Sequence, residues 1–299
     1  MPTLYAVLIW FLPVVVAIAM VEGLVRGFWL RQAYDWRAAF ASLADVLARQ
    51  FVVHAVLPLG LAGVAVDWAW SHRLATLPLE GWAAFLLLFL GQEFCYYWFH
   101  RASHRVRWFW ATHAVHHSPN QLNFSAAYRF GLTGRLSGTM LFFVPLVWLG
   151  FPPGAVFAAL SLNLLYQFWL HTDWVPKLGP LEYVLNTPSH HRVHHAANLE
   201  YLDANYGGVL IVFDRLFGTL IEERDDLPCR FGLVKPLTSN NPLRIAFHEW
   251  NALGRDLYGA RSLRAVVGHL FGPPGWRADG QGLTTENLRR RATMALPAE

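Results

Sequence analysis

Apolar blocks of helical length alternate with short polar connections in the first half of the sequence. Residues 3–21 contain no charged side chain and are about long enough to cross a hydrocarbon core, which needs ~20 apolar residues. Further apolar blocks cover residues 50–66 and 81–99. Residues 139–171 exceed one span and are interrupted by Gly-Phe-Pro-Pro-Gly at 150–154, which predicts two helices joined by a tight hairpin. The pattern predicts an all-α, integral-membrane helical bundle of four or five spans.

The first apolar block has a second interpretation, which is a cleaved signal peptide. No basic residue precedes the block, and no small-residue cleavage pattern follows it. We therefore expect residues 3–21 to be retained as the first span.

Arginine positions predict the orientation of the bundle, because short cytoplasmic loops are enriched in Lys and Arg. Four arginines lie between the first two blocks and five follow the third block, whereas residues 67–80 contain only Arg73. The two arginine-rich connections are separated by an even number of predicted crossings, so both are expected on the cytoplasmic side. Everything after residue 171 is expected there too. The sequence pattern favours a bacterial inner membrane as the location.

The composition agrees with a protein dissolved in lipid. Hydrophobic residues make up 55% of the 299 residues and charged residues 15%, whereas a soluble domain has about 25% charged residues. The net charge is +4, but the arginines lie beside apolar segments, so anionic lipid head groups are a simpler partner than nucleic acid. Cys95 and Cys229 match no zinc or disulfide spacing and are expected to be free thiols.

We expect one membrane-embedded domain over residues 1–271, followed by a poorly ordered tail over residues 272–299, which is rich in Gly, Pro and charge. Near the end of the domain, apolar residues recur at helical spacing at Leu243, Ala246, Trp250, Leu253 and Leu257. This spacing predicts an amphipathic helix. Such a helix either lies on the membrane surface or packs on the cytoplasmic part of the protein, and the sequence leaves both open.

Histidines cluster where the predicted spans reach the cytoplasm. Ten of the fourteen fall in four places at or beyond the cytoplasmic ends of the spans or in the cytoplasmic segment. Side chains three or four residues apart share one face of a helix, so the histidines of each place can bind a common partner. The places are His100 with His104, then His113, His116 and His117, then His171, and finally His190, His191, His194 and His195. Thr187 as N-cap and Pro188 in the first turn predict the start of the last helix.

Nine imidazoles at one membrane depth predict a metal centre. Without a cation they would leave unsatisfied or mutually repelling ring nitrogens, whereas a metal binds the neutral ring. Because a structural zinc takes four ligands, nine imidazoles imply two metals. A zinc protease needs Glu directly after its first His, but Arg101 follows His100, and no Gly-x-Ser-x-Gly or Gly-rich phosphate loop supports acyl or phosphoryl transfer. A zinc-loaded lipid hydrolase and a non-enzymatic metal-binding membrane protein remain as alternatives.

The strings HRASH, HAVHH and HHRVHH, in this order, resemble the histidine boxes of the fatty acid hydroxylase superfamily, also called the sterol desaturase family. The resemblance covers roughly residues 80–235 and extends to YYWFHRASH, QFWLHT, NTPSHHRVHH and NYGG followed by FDRLFGT. Within the family, LLYQFWLHT and NTPSHHRVHH most resemble alkylglycerol monooxygenase and its bacterial relatives.

The resemblance implies a di-iron centre that uses O2 and external electrons to hydroxylate a C–H bond of a lipid, such as a fatty acyl chain, an alkyl-glycerol ether or a sterol-like molecule. A desaturase or sterol methyl oxidase on the same metal core is one alternative, and a zinc-dependent lipid hydrolase is another. The implied donor is a ferredoxin, a cytochrome or a pterin-type reductant, and zinc is an alternative metal in the purified protein. By position, the implied metal ligands are His100, His104, His113, His116, His117, His171, His191, His194 and His195.

The chain departs from some family members at Gln167, where they have a second histidine four residues before the one that matches His171. One metal is therefore expected to be a ligand short, with water or His190 completing its coordination. An open position of this kind is what O2 would need.

Two carboxylates, Glu93 and Asp214, are candidates to orient the imidazoles through their outer N–H groups. Glu93 lies about two helical turns before His100, and a charge inside a span is costly, so we expect it to have a role. The alternative for Glu93 is a protonated or Arg-paired structural residue. Asp203 and Asn205 are interpreted as ordinary turn residues, with a direct role as the alternative.

Overall fold

The structure is a computed structural model that describes residues 3–52, 61–134 and 136–295. Within these residues it is helical, with two isolated β-bridges and no strand, which confirms the all-α class. The helices are α1 (Thr3–Leu24), α2 (Trp36–Phe51), α3 (Leu61–Ser71), α4 (Gly81–Arg105), α5 (Arg107–His117), α6 (Val144–Leu149), α7 (Pro153–Phe168), α8 (Pro188–His194), α9 (Val212–Phe217), α10 (Pro242–Gly259), α11 (Leu263–Phe271) and α12 (Thr285–Ala295). A π-helical turn at Val25–Trp29 extends α1, and 3-10 turns lie at Thr139–Phe143 and Gly179–Tyr183.

The number of membrane crossings stays a prediction. In the part of the chain that the structure describes, one helix is long and apolar enough to cross a membrane, at Phe11–Trp29. The predicted second span includes residues 53–60, which lie outside the described residues, and the predicted third span forms the first part of α4. The predicted hairpin forms two shorter apolar helices, Thr139–Leu149 and Pro153–Phe168.

The two faces of α4 have different surroundings. Leu88, Cys95 and Tyr96 are buried and pack in one apolar cluster with side chains of the first 3-10 turn, α6 and α7. Large apolar side chains on the outer face have no such cover, since Trp82 is 86% exposed and Leu87 is 62% exposed. Exposed apolar surface of this extent is typical of a face that contacts lipid.

The turn between α6 and α7 depends on Gly150, whose φ of 122° is rarely adopted by other residues. A Cβ atom at this position would collide with the carbonyl oxygen of Ala75. Two backbone hydrogen bonds hold the loop after α3 to the turn, from Leu74 N to Trp148 O (2.8 Å) and from Leu77 N to Gly150 O (3.0 Å). The predicted interruption is therefore a packed turn.

α10 packs against other helices of the protein, as the second of the two predicted alternatives requires. Its residues Ile245, Ala246 and Leu253 are 1–2% exposed, and the helix lies against α5 and α2. An ion pair of 2.6 Å between Arg107 and Asp256 adds to the α5 contact. The amphipathic pattern is therefore explained by helix packing.

The segment after α11, for which the sequence predicts a poorly ordered tail, contains a helix. Within the described residues, α12 forms and contacts the rest of the chain, because Arg289 Nη2 donates to Leu202 O (2.8 Å) and Arg105 pairs with Glu286. Composition alone does not reveal that these charged groups have partners in α4 and in a distant loop. The fold supplies those partners.

Candidate metal centre

α4 continues past the predicted span, so His100 and His104 lie one turn apart on its buried face. Val106 is extended (φ −119°, ψ 117°) and ends the helix. The chain then enters α5, which packs on α4 and places His113 Nε2 3.1 Å from the Nε2 atoms of both His100 and His104. Two successive helices thus contribute to one group of histidines.

α8 begins as predicted, with Thr187 extended at the N-cap and Pro188 as the first helical residue. The Thr187 hydroxyl, however, does not cap the helix backbone. It donates to Glu182 Oε1 (2.9 Å), which also accepts from Ser189 Oγ (2.6 Å). Glu182, which the sequence pattern did not indicate, therefore joins the start of α8 to the preceding 3-10 turn.

The nine predicted histidines meet in two groups, within each of which the potential ligand atoms lie within 4.8 Å of one another. The five-histidine group contains His100, His104, His113, His117 and His194. The four-histidine group contains His116, His171, His191 and His195. Eight of the nine side chains are buried, and the ninth, His113, is half-buried. Side chains from four separate stretches of sequence therefore converge on two neighbouring sites.

The outer nitrogens of several histidines are anchored by backbone carbonyls. The Nδ1 atoms of His100, His194 and His171 lie 2.8–2.9 Å from the carbonyl oxygens of Tyr206, Ala204 and Gln167, respectively. The Nδ1 atom of His116 lies 3.1 Å from Arg129 O. A carbonyl only accepts, so each of these rings carries its proton on Nδ1 and directs an Nε2 lone pair into its group.

The inward nitrogens are spaced as ligands of a common metal. Within the two groups, successive Nε2 atoms lie 3.0–3.3 Å apart, for example 3.0 Å between His191 and His171. Two imidazoles bound at 2.0–2.1 Å to one metal would have nitrogens about 3.0–3.4 Å apart. The buried Nε2 atom of His194 has no hydrogen-bond partner among the described residues. The donor set therefore fits two metal ions, since facing lone pairs without a cation would repel.

The electrostatics of the centre favour neutral rings. Burial, together with the neighbouring imidazoles, lowers the pKa of His100, His117 and His194 well below the usual value. Neutral imidazole is the form that binds a metal, so these rings need not lose a proton near pH 7.

Glu93 and Asp214 bind the backbone beside the centre rather than the imidazoles. Glu93 Oε2 accepts from the N–H groups of Val209 and Leu210 (both 2.8 Å). Asp214 accepts from the N–H groups of Tyr206 (2.8 Å) and Gly207 (2.7 Å). The predicted direct contact with the rings is therefore not formed. Asp214 instead holds Tyr206, whose carbonyl oxygen accepts from His100.

The side chains of Gln167 and His190 lie outside the two histidine groups. The side chain of Gln167 binds Tyr96 (3.0 Å) and Asn163 (2.6 Å), so only its backbone oxygen contacts a histidine of the centre. His190 belongs to neither group, and its Nδ1 atom lies 3.5 Å from Thr187 Oγ1. The four-histidine group therefore keeps four nitrogen donors.

Comparison with known proteins agrees with this geometry. Residues 85–219, which include all nine histidines, match the family model described as Fatty acid hydroxylase. The human alkylglycerol monooxygenase is 39% identical over 206 residues, which cover 69% of this chain and 45% of the relative. The relative of the same name from Xenopus tropicalis is 37% identical over 238 residues, which cover 79% of this chain and 50% of the relative.

A bacterial relative also matches. Ornithine lipid hydroxylase OlsE from Rhizobium tropici is 31% identical over 165 residues, covering 54% of this chain and 49% of the relative. The chain spans about half the length of these curated relatives. No solved structure matches it. The family match and the relatives both coincide with the region that builds the two histidine groups, and residues 85–219 are similar to the fatty acid hydroxylase family.

Proposed function

We propose that the chain is a di-iron oxygenase that uses O2 and external electrons to hydroxylate a C–H bond of a membrane lipid. The observation that carries this proposal is the arrangement of five and four imidazoles, whose inward nitrogens have the spacing of metal ligands. The nine histidines would hold the two metals. Iron bound by imidazole, with a coordination position free, supplies the O2 activation that side-chain acid–base chemistry lacks.

Two observations support a lipid as the substrate. The names of the relatives refer to an alkylglycerol and to an ornithine lipid, and both names describe oxygen insertion. In this chain, the centre lies at the end of α4, whose outer face exposes large apolar side chains. A lipid in the bilayer would therefore have a short path to the centre.

The membrane arrangement and the electron donor complete the proposal. We expect a multi-pass protein with the metal centre on the cytoplasmic side, since the arginine-rich connections border the histidine-bearing helices. The electrons would come from a ferredoxin, a cytochrome or a pterin-type reductant. Glu93 and Asp214 would support the centre by holding the backbone that packs beside it.

The test is untargeted lipid mass spectrometry on cells that express the chain under ¹⁸O2. Wild type is compared with a double variant, His116→Ala with His194→Ala, which removes one ring from each group. The matched control is His72→Ala, because His72 is exposed and lies outside both groups. Metal content of the purified proteins is measured in parallel.

We expect wild type and the His72→Ala control to yield a lipid with one labelled oxygen, and the double variant to yield none. Wild-type protein should hold about two metal ions. A lipid that loses two hydrogens, or one that is cleaved without label, would replace hydroxylation by desaturation or hydrolysis. Wild type without stoichiometric metal would contradict the proposal as a whole.

A further inference from the structure

The loop at residues 203–206 faces the five-histidine group with three acceptors. Ala204 O accepts from His194 Nδ1 (2.9 Å), and Tyr206 O accepts from His100 Nδ1 (2.9 Å). The Asp203 carboxylate lies 3.7 Å from His104 Nδ1 and faces this ring as a third acceptor. Three of the five rings in this group therefore have their outer nitrogens directed at one stretch of four residues.

The loop has an unusual backbone. Asp203 (φ 57°) and Asn205 (φ 58°) are both left-handed, a conformation that Asp and Asn tolerate better than most residues other than Gly. The two left-handed residues flank Ala204 and fold the chain tightly against the histidines. The sequence alone favours ordinary turn residues at both positions, but ordinary turns lie at the surface, and Asn205 is fully buried.

Buried side chains hold the loop in this conformation. Asn205 Nδ2 donates to His190 O (3.0 Å) and Ile221 O (2.8 Å), and its Oδ1 accepts from Ile221 N (2.8 Å). Asp214, also fully buried, accepts from Tyr206 N and from Thr219 Oγ1 (2.7 Å). Residues 205 and 206 are therefore held in place by hydrogen bonds of buried side chains.

Within the described part of the chain, no such loop faces the four-histidine group. His116 and His171 are anchored by carbonyls from two unrelated segments, and the carbonyl at His171 belongs to Gln167, only four residues earlier. The buried Nδ1 atom of His191 has no hydrogen-bond partner among the described residues. Support from residues 203–206 is thus confined to one of the two groups.

We propose that the 203–206 loop is a positioning element for the metal of the five-histidine group, with Asp203 and Asn205 as positioning residues. The loop sets the Nδ1-protonated form and the orientation of His100, His104 and His194, so that their Nε2 atoms converge. This inference rests on the proposed function, because it requires that the five-histidine group holds a metal. Partners of this kind change metal affinity by about 10–100-fold when removed.

The test compares two substitutions of Asp203 in the full-length protein. Asp203→Asn keeps an acceptor oxygen and tolerates the left-handed backbone, whereas Asp203→Gly tolerates the backbone and loses the acceptor. Because Asp203 also pairs with Arg105 (2.8 Å), Arg105→Gln is the control for loss of that ion pair. Asn205→Gly is an independent variant, which keeps the backbone conformation and removes the three side-chain hydrogen bonds.

Each protein is stripped of metal in detergent and titrated anaerobically with iron(II), and the two sites are followed by metal analysis and Mössbauer spectroscopy. We expect Asp203→Gly and Asn205→Gly to bind one of the two irons about 10–100-fold more weakly, with the other unchanged. Asp203→Asn and Arg105→Gln should retain both sites. Melting temperatures of the metal-free proteins report any general loss of folding.

The inference is overturned if Asp203→Gly binds both irons as wild type does, or if both sites weaken equally. Should Asn205→Gly fail to fold, the Asp203 pair still decides the matter, since the Asp203 side chain is partly exposed whereas Asn205 is fully buried. Failure of the proposed function has a different signature, because wild type itself would then bind no stoichiometric iron.

Discussion

Glu93 shows how a charge is accommodated inside an apolar helix. Its carboxylate is buried and accepts from Asn163 Nδ2 and from the N–H groups of Val209 and Leu210. All three donors are neutral, so the side chain is not the Arg-paired residue considered as the alternative. Its contacts fasten the loop before α9 to α4.

Replacement of Glu93 by Ala should therefore destabilise the fold. Three buried donors would lose their acceptor, and each unsatisfied group costs about 1–3 kcal/mol. We expect the melting temperature of purified protein to fall by several degrees, with a smaller fall for Glu93→Gln, which keeps one acceptor oxygen. Glu80→Gln is the control, since Glu80 is exposed and makes no side-chain cap bond to α4. An Ala variant as stable as wild type would contradict this account.

At the scale of elements, α10 packs against the histidine-bearing helix α5. Trp250 Nε1 donates to Thr133 Oγ1 (2.9 Å), and the indole stands perpendicular to that of Trp108 with ring centroids 4.8 Å apart. Ile245 of α10 packs in a cluster with Val115 of α5, next to His116. The position of α5 therefore depends on a helix outside the matched family region.

Truncation of a buried α10 side chain should release this support. Leu253 is 2% exposed, so Leu253→Ala is expected to cost about 2–5 kcal/mol through lost burial and the cavity left behind. Leu243, on the same helix, is 65% exposed, and Leu243→Ala should change stability by less than about 0.5 kcal/mol. Thermal unfolding of both variants in one detergent measures the difference, and equal effects would refute the packing role of α10.

At the scale of the whole molecule, the two histidine groups join α4, α5, α8 and the end of α7. Removal of the proposed metals would leave converging lone pairs without a cation and would release these elements from one another. At a free metal concentration 100 times Kd, one site adds about 2.7 kcal/mol to the free energy of unfolding.

Chelation should accordingly lower the melting temperature, and iron(II) or zinc should restore it. The His116→Ala, His194→Ala double variant should lose this response, while His72→Ala keeps it. Differential scanning fluorimetry with and without chelator measures the shift. A wild-type melting temperature that does not respond to metal would count against the centre.

The proposed topology makes its own prediction for the whole chain. Glu80→Cys, in the loop before α4, should react with a membrane-impermeant thiol reagent in intact cells, whereas Asp226→Cys should react only after the cells are opened. Both positions are exposed, and the native cysteines are buried or half-buried. The reverse pattern would overturn the cytoplasmic placement of the metal centre.

Periodicity and spacing in the sequence were sufficient to predict the helical class and to identify the nine histidines that meet in the structure. Histidines three and four residues apart must share a helix face, whatever the rest of the chain does, so local geometry predicts each cluster. The start of α8 at Thr187 and Pro188 is local for the same reason. The break at Gly150 is local as well, because its φ admits few other residues.

Tertiary structure alone decided how the histidines divide into five and four, and which groups anchor them. His194 joins rings of α4 and α5, while His191, one turn earlier on the same helix, joins His171. The anchors are mostly backbone carbonyls, which carry no side-chain signature, and Asp203 and Asn205 act through a left-handed backbone that turn composition does not reveal. Such contacts join residues far apart in the chain, and only the packed fold brings them within hydrogen-bonding distance.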